Sequence, residues 1–260
     1  MAASGQLYDA IGQGYAVSRR TEPRIAARIW AALGDAETVL NVGAGTGSYE
    51  PPDRRVTAVE PSAVMRIQRP SDAAPVIAAF AEELPFADKS FDAAMAVLSD
   101  HHWTDPLAGL REMQRVAHRV VVFQWDNALV PRFWLVRDYL PEFVSFCFAG
   151  PSLADRARLL GARVEATPIP WDCVDGFFHA FWRRPHAYLE PAVRRAASPW
   201  ALVGPKVEAR AVAALEADLV RGQWQERNAP LLEFDEADLG ARLLVAEQRA
   251  AGAKDERRLS

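Results

Sequence analysis

Only two cysteines, Cys147 and Cys173, stand in 260 residues. Two thiols cannot build a disulfide framework or by themselves hold a structural zinc, so both are expected as buried apolar groups. Positive charge is not in excess. Thirty Lys and Arg stand against 34 Asp and Glu, a formal charge of −4, and the pI is about 5.8. Chains that track nucleic-acid phosphates usually carry a basic stripe, so nucleic acid is not an expected partner. No uncharged apolar run is long enough to span a bilayer. The N-terminus lacks the charged segment and apolar stretch of a secretory signal. Together these set the expectation of a cytoplasmic protein with no membrane partner. A Ser/His/Asp signature, a phosphate-binding P-loop and a His/Cys cluster at metal spacing are all missing, so no metal is expected. There is no internal repeat and no low-complexity segment. What is plentiful is apolar: hydrophobic residues make up 50%, enough for one large domain, or one domain with a cap.

The chain is organised around Thr38-Val-Leu-Asn-Val-Gly-Ala-Gly-Thr-Gly47. Thr38 to Val42 reads as a short buried strand. Gly43, Gly45 and Gly47 follow at every second position. Glycine has no Cβ and takes φ > 0, so the backbone there turns sharply and lets a ligand lie against it. The next strand, Val56 to Val59, ends in Glu60, which can accept hydrogen bonds from both hydroxyls of a ribose. Loop and acid suit NAD and S-adenosylmethionine (SAM) alike. The NAD fingerprint wants a third glycine where Ser48 stands.

Further along comes Ala81-Glu-Glu-Leu-Pro-Phe-Ala-Asp-Lys-Ser-Phe-Asp92. With the glycine loop and Glu60, this block resembles the motifs of the class I SAM-dependent methyltransferases (the small-molecule, methyltransferase-11-like kind) in order and spacing, over about the first half of the chain. The resemblance implies an α/β fold: a Rossmann-like, mostly parallel seven-stranded sheet with helices on both faces. It implies SAM as cofactor and S-adenosylhomocysteine (SAH) as its product. Gly43, Gly45, Gly47, Glu60 and Ser99 then become cofactor residues, with Val64 or Met65 against the adenine and Ala81 or Glu82 at its edge. Many members begin with a Tyr- and Arg-bearing segment over the cofactor, which points to Tyr15 and Arg19. Two departures stand out. Ser48 to Asp53 carries Pro51 and Pro52, leaving little room for the helix that normally follows the loop. Asn41 stands where the family often has an acid. The Asn/Asp-Pro-Pro-aromatic tetrapeptide of many DNA and protein methylases is absent after the fourth strand. With the acidic pI, that favours a small-molecule acceptor, plausibly of secondary metabolism.

The remaining elements follow from pattern. Helices are expected over Pro23 to Leu33 (capped by Thr21), Pro61 to Gln68, Pro106 to Ala117 (capped by Asp105), Leu153 to Leu160 and Pro205 to Arg221. Val174 to Ala196 reads as helical in pieces. Strands are expected over Ala74 to Ala78, Phe91 to Leu98, Arg119 to Trp125, Arg163 to Ile169 and Gly240 to Glu247. The chain divides into a core with an N-terminal flap (1–126), a cap segment (127–150), a continuation of the core (151–172), a helical cap insertion in the C-terminal half (173–232), and a last strand with a polar tail (233–260). Aromatics concentrate in the cap, and Trp134, Phe178 and Trp182, with Trp103, are candidate walls for a flat apolar acceptor. His101 and His102, at the end of the fourth strand, are the candidate base or positioning group. His179 and His186 in the cap rank behind them, and Asp100 and Asp126 are further candidates. Two rival readings remain at this point: an NAD-linked oxidoreductase, and a non-catalytic SAM-binding regulator. The assembly is expected to be a monomer or a homodimer.

Overall fold

The computed structural model describes residues 19–148 and 150–247. Its strands are β1 (Thr38–Val42), β2 (Arg55–Val59), β3 (Val76–Ile77), β4 (Phe91–Val97), β5 (Ala117–Trp125), β6 (Arg163–Ala166), β7 (Ile169–Pro170), β8 (Glu236–Ala237) and β9 (Ala241–Glu247). Seven of them form one sheet in the order β3-β2-β1-β4-β5-β9-β6, while β7 and β8 pair separately. The first five strands run parallel, and β9 lies antiparallel between β5 and β6. This is the expected Rossmann-like, mostly parallel, seven-stranded sheet. The chain order reverses between β1 and β4, and ligands of open α/β sheets bind at the carboxyl ends of the strands at such a point.

Alternate side chains of each central strand enter opposite cores, as the two-residue period of a strand dictates. Val39, Ala93, Met95, Val121 and Phe123 face one cluster with helix α1 (Pro23–Ala32). Leu40, Val42, Ala94, Ala96, Val120 and Val122 face the other, with helix α2 (Pro106–Val116) and Leu160 of helix α3 (Leu153–Leu160). The first cluster does not stop at the sheet. It continues through Phe133, Trp134, Phe178, Trp182 and Trp200 to Leu215 of helix α4 (Pro205–Val220). The segments beyond β5 and the α1 face therefore share one apolar interior.

Capping explains most boundaries. Asp105 accepts from the Ala108 N–H at the start of α2, and Ser152 and Asp155 form a capping box at α3, which ends on Gly161 with φ +62°. Helix α1 differs from expectation: Glu22 is its cap, accepting from Arg24 N–H, and Thr21 serves another partner described below. β3 spans two residues, not five; Pro75 just before it has no N–H for a ladder. The sixth strand breaks after Ala166, and Ile169–Pro170 leaves to pair with β8. Residues 174–184 carry only turns, and the first α-helix after them is Pro191–Arg195. Gly176 and Pro185 punctuate that stretch. No helix among the described residues is long and apolar enough to cross a membrane.

Candidate active site

The loop after β1 turns on three left-handed glycines, with φ of +69° at Gly43, +53° at Gly45 and +96° at Gly47. The N–H groups of Gly43 and Ala44 both donate to the Val59 carbonyl, at 2.9 and 3.0 Å, which binds the loop to the end of β2. A Cβ on Gly43 would lie 2.7 Å from Ser99 Cβ. Ser99 itself is pinned, its hydroxyl donating to the Val42 carbonyl at 2.9 Å.

As the two prolines predict, no helix follows the loop. Its work is done by side chains. Tyr49, at φ +67°, donates its N–H to Thr21 Oγ1 at 3.0 Å. Its carbonyl accepts from Trp30 Nε1 at 2.9 Å, and its hydroxyl donates to Asp175 Oδ2 at 2.8 Å. Asp175 has no exposed surface and also pairs with Arg19, 2.6 Å from its Nε. Next to Tyr49, Glu50 accepts from Asn41 Nδ2, Arg69 Nη2 and the Ala74 N–H, and Arg69 also donates to the Gly45 carbonyl at 3.3 Å. Asn41 thus works with an acid, but that acid comes from the loop. Nothing in the sequence marked Tyr49 or Asp175, which stand 126 residues apart. Only the missing helix hinted that something else must hold the loop.

Glu60 points back at the loop. Its Oε2 accepts from Gly45 N–H and its Oε1 from Ser62 N–H, both at 2.9 Å. Desolvation raises its pKa, and these two N–H bonds work against that rise. A carboxylate has about four acceptor positions, so two bonds leave capacity for a diol. Loop, Glu60, Met65 and Ser99 share a cleft of about 790 Å³, counted out to open solvent, with Arg19, Tyr49, His102 and Trp103 on its walls. The cleft fits a nucleoside-type group: backbone without Cβ on one side, a carboxylate with spare acceptors on another, and the Met65 thioether against Gly45. Of the expected cofactor residues, Gly43, Gly45, Glu60, Met65, Ser99 and Arg19 line it. Gly47 packs beside the Arg69 guanidinium. Ala81 and Glu82 lie outside the lining. Ala81 is buried in the second core, and Glu82 accepts the Asp105 N–H at the start of α2. Tyr15 falls outside the described residues.

The end of β4 forms a tight turn, Asp100–His102. Asp100 is fully buried and bound to Arg156 Nε of α3 at 2.6 Å and to Gln124 of β5. It therefore anchors the turn to neighbouring elements and does not orient a histidine. The His101 and His102 rings touch, 3.8 Å between centres and tilted by 47°. His101 is exposed, and half-buried His102 lines the cleft. The pKa of His102 lies well below the ordinary imidazole value, through desolvation first and then through the neighbouring His101 and Arg19. Both effects disfavour the charged ring, so His102 is a hydrogen-bonding wall of the cleft and not a strong base. Trp103 packs against Gly43 and Gly109, which makes it a wall of this cleft and not of the cap.

A family model described as "Methyltransferase domain" matches residues 40–121. A crystal structure from Anabaena variabilis ATCC 29413, assigned as a methyltransferase from an antibiotic biosynthesis pathway, is 31% identical, covers 88% of this chain and 98% of its own, and superposes with a TM-score of 0.81. The chain belongs to the class I SAM-dependent methyltransferases.

More distant members share the fold. A methyltransferase assignment from Bacillus halodurans C-125 is 13% identical, covering 86% of this chain and 99% of that one, with a TM-score of 0.52. The plantazolicin methyltransferase BpumL, solved with SAH, is 12% identical over 95% of each chain at 0.53. Among curated sequences, the uncharacterized protein YafE of Escherichia coli K12 is 51% identical over 37 residues, which span 14% of this chain and 18% of that protein. The cofactor of this methyltransferase is SAM, and the NAD-linked alternative falls. SAM brings a methyl group on a sulfonium already activated for displacement. Among the described residues no group of three His, Cys, Asp or Glu could hold a metal.

In the methyltransferase's cap, two of the expected acceptor walls are interior. Trp134 donates its indole N–H to the Trp182 carbonyl at 2.8 Å, and Trp182 donates to the carbonyls of Ile169 and Pro170. Both are fully buried with their polar atoms satisfied, so they pack and present no surface. Phe178 is also buried, edge-on to Phe133 and Trp200. The side chains that meet the strand ends are others. Trp125, the half-buried last residue of β5, touches Phe177 at 5.4 Å and His179 at 4.0 Å between ring centres. The two thiols are buried as expected, and burial lifts the pKa of Cys147 to about 11 and that of Cys173 to about 12.

Proposed function

We propose that this enzyme methylates a small, flat, largely apolar molecule at oxygen, nitrogen or an electron-rich carbon. The observation that carries the proposal is the aromatic cluster at the carboxyl end of β5, where Trp125 meets Phe177 and His179, on the strand paired with the one that brings Val97 to the cleft. A pocket of apolar walls with few polar groups selects flat apolar ligands. The 31% identical relative is assigned to an antibiotic biosynthesis pathway, and a similar setting in secondary metabolism fits such an acceptor, an indole-like ring included.

The protein's contribution is positioning. Glu60 and the glycine loop fix the nucleoside end of the cofactor. The Arg19–Asp175–Tyr49 link fixes the loop to the cap, so donor and acceptor sites are held in one frame. Holding two reactants in line contributes several kcal/mol, about 7–11 in the best cases. His102, in the cleft, is the residue placed to hydrogen-bond and orient the acceptor's polar group.

The test is turnover with methyl-labelled SAM against separate panels of aryl hydroxyls, indoles, peptides and nucleic acid. Label in the aromatic panels alone supports the proposal. Label in peptide or nucleic acid, or SAM binding without turnover on any panel, would replace it with a macromolecular acceptor or a regulatory role.

A further inference from the structure

Among the described residues, Arg184, Trp200, Trp224 and Gln225 each leave one buried polar atom unpaired, and His179 leaves two. His179 is 3% exposed, and among the described residues neither Nδ1 nor Nε2 has a hydrogen-bond partner. Its ring lies between Trp125 at 4.0 Å and Phe133 at 4.6 Å, with Phe178 edge-on at 5.2 Å. Buried polar groups in native proteins nearly always have partners, and an orphan marks a functional position or a missing ligand. A phenylalanine would fill the same box without leaving two nitrogens unsatisfied. An imidazole there is useful only when something polar arrives.

The surroundings say where such a group would come from. His179 stands four residues beyond Asp175, which is bonded to Tyr49 and Arg19 of the cofactor cleft. Four residues reach at most about 14 Å, so the histidine and the cleft wall are near neighbours. Trp125 follows by two residues Phe123, the register partner of the cleft-lining Val97. Trp125 is only half-buried, so its ring is the wall of the box that meets solvent. On the cap side, Phe178 touches Phe143, which stacks on Phe146, and Phe146 is 43% exposed. A row of packed aromatic rings thus runs from the surface to the box.

We propose that His179 is the polar anchor of the acceptor site: its neutral ring hydrogen-bonds a hydroxyl on a flat aromatic acceptor held among Trp125, Phe133, Phe177 and Phe178. This rests on the apolar-acceptor reading and narrows it to aryl hydroxyls. A neutral imidazole has one donor and one acceptor nitrogen, so it can pair with a hydroxyl in either sense, through one nitrogen at a time. Burial also holds the ring neutral, its pKa pushed down to about 3, which suits recognition and not proton uptake. A site built around a buried hydrogen-bonding group rejects ligands that lack its complement, because the group is then left unpaired.

The probes are 2-naphthol and naphthalene, which share shape and differ in one hydroxyl. Each is titrated into the SAH-saturated enzyme, with binding read by calorimetry and the imidazole nitrogens by NMR of ¹⁵N-histidine-labelled protein. 2-Naphthol should bind about tenfold or more tighter than naphthalene and shift the His179 resonances, which naphthalene should leave nearly in place. In His179→Phe the preference should shrink to about twofold or less, and His179→Gln, with one donor and one acceptor, should keep part of it. Equal binding of the two probes to the wild type, or an undiminished preference in His179→Phe, would overturn the anchor and leave the apolar-acceptor reading standing. If neither probe binds while SAH does, both readings fail together. If His179→Phe does not fold, the wild-type resonances decide: movement with naphthalene as large as with 2-naphthol overturns the anchor.

Discussion

Replacing Gly43 and Gly45 separately by alanine should divide the glycine loop into a structural half and a ligand half. Both residues sit at positive φ, +69° and +53°, where a Cβ costs about 1–2 kcal/mol. The added methyls then meet different neighbours. At Gly43 the Cβ would lie 2.7 Å from Ser99 Cβ and 2.9 Å from its Oγ, far inside the 3.5–4.0 Å optimum for carbon pairs. Ser99 cannot swing away without giving up its bond to the Val42 carbonyl, so a backbone shift of about 1–3 kcal/mol adds to the strain. At Gly45 the nearest atom is Met65 Cε at 3.4 Å, the free end of a flexible side chain. Gly43→Ala should therefore lose about 2–5 kcal/mol of stability and Gly45→Ala about 1–2. Gly45→Ala should nevertheless lose SAH affinity by an order of magnitude or more, because its methyl enters the cleft. Urea unfolding gives the first quantity and calorimetric titration with SAH the second. If Gly45→Ala proves the less stable variant, or binds SAH like the wild type, the assignment of roles within the loop is wrong.

Asp175→Ala removes the buried partner of both Arg19 and the Tyr49 hydroxyl; a loss near 3 kcal/mol is expected, together with weaker SAH binding, and unchanged affinity would show that the loop stands without the cap. His179 titrates at about 3 in the folded protein against about 6.5 unfolded. The unfolded chain alone takes up this proton between those values, so the wild type should lose about 1.4 kcal/mol per pH unit as pH falls from 6.5 toward 3. Urea melts of His179→Phe at several pH values should show a shallower slope by that amount, and parallel slopes would contradict the burial. Cys147 and Cys173 should ignore Ellman's reagent in the native state and react together on unfolding; a native thiol that reacts within seconds would contradict their environment.

The fold and the glycine–Glu60 side of the cleft were legible because both depend on short-range pattern. Buried parallel strands write apolar runs, and the loop demands glycine where φ is positive. Boundaries failed where a competing pairing decided them: Ile169–Pro170 left the main sheet for β8, and Thr21 was taken by Tyr49 before it could cap α1. The acceptor side was less legible for a different reason. A tryptophan reads alike whether it fills a core or faces a ligand. Trp134 and Trp182 turned out interior, and Trp103 went to the cofactor cleft. His179 ranked low in the sequence because its significance lies in the partners it lacks, and a sequence does not record them.

The segment after the glycine loop is tied through Tyr49 to residue 175, so the first half of the chain does not carry every contact that holds this site. A recombinant that kept residues 1–126 and received a foreign cap would carry every recognisable cofactor motif. It would still lack the carboxylate that Tyr49 and Arg19 grip. Exchanges that respect this dependence must move the segment around Asp175 with the loop, or supply an acid at the same place. Diversification of the acceptor site is thereby channelled toward side chains beyond that tether, and His179 is among the first that such variation can alter without disturbing the hold on the loop.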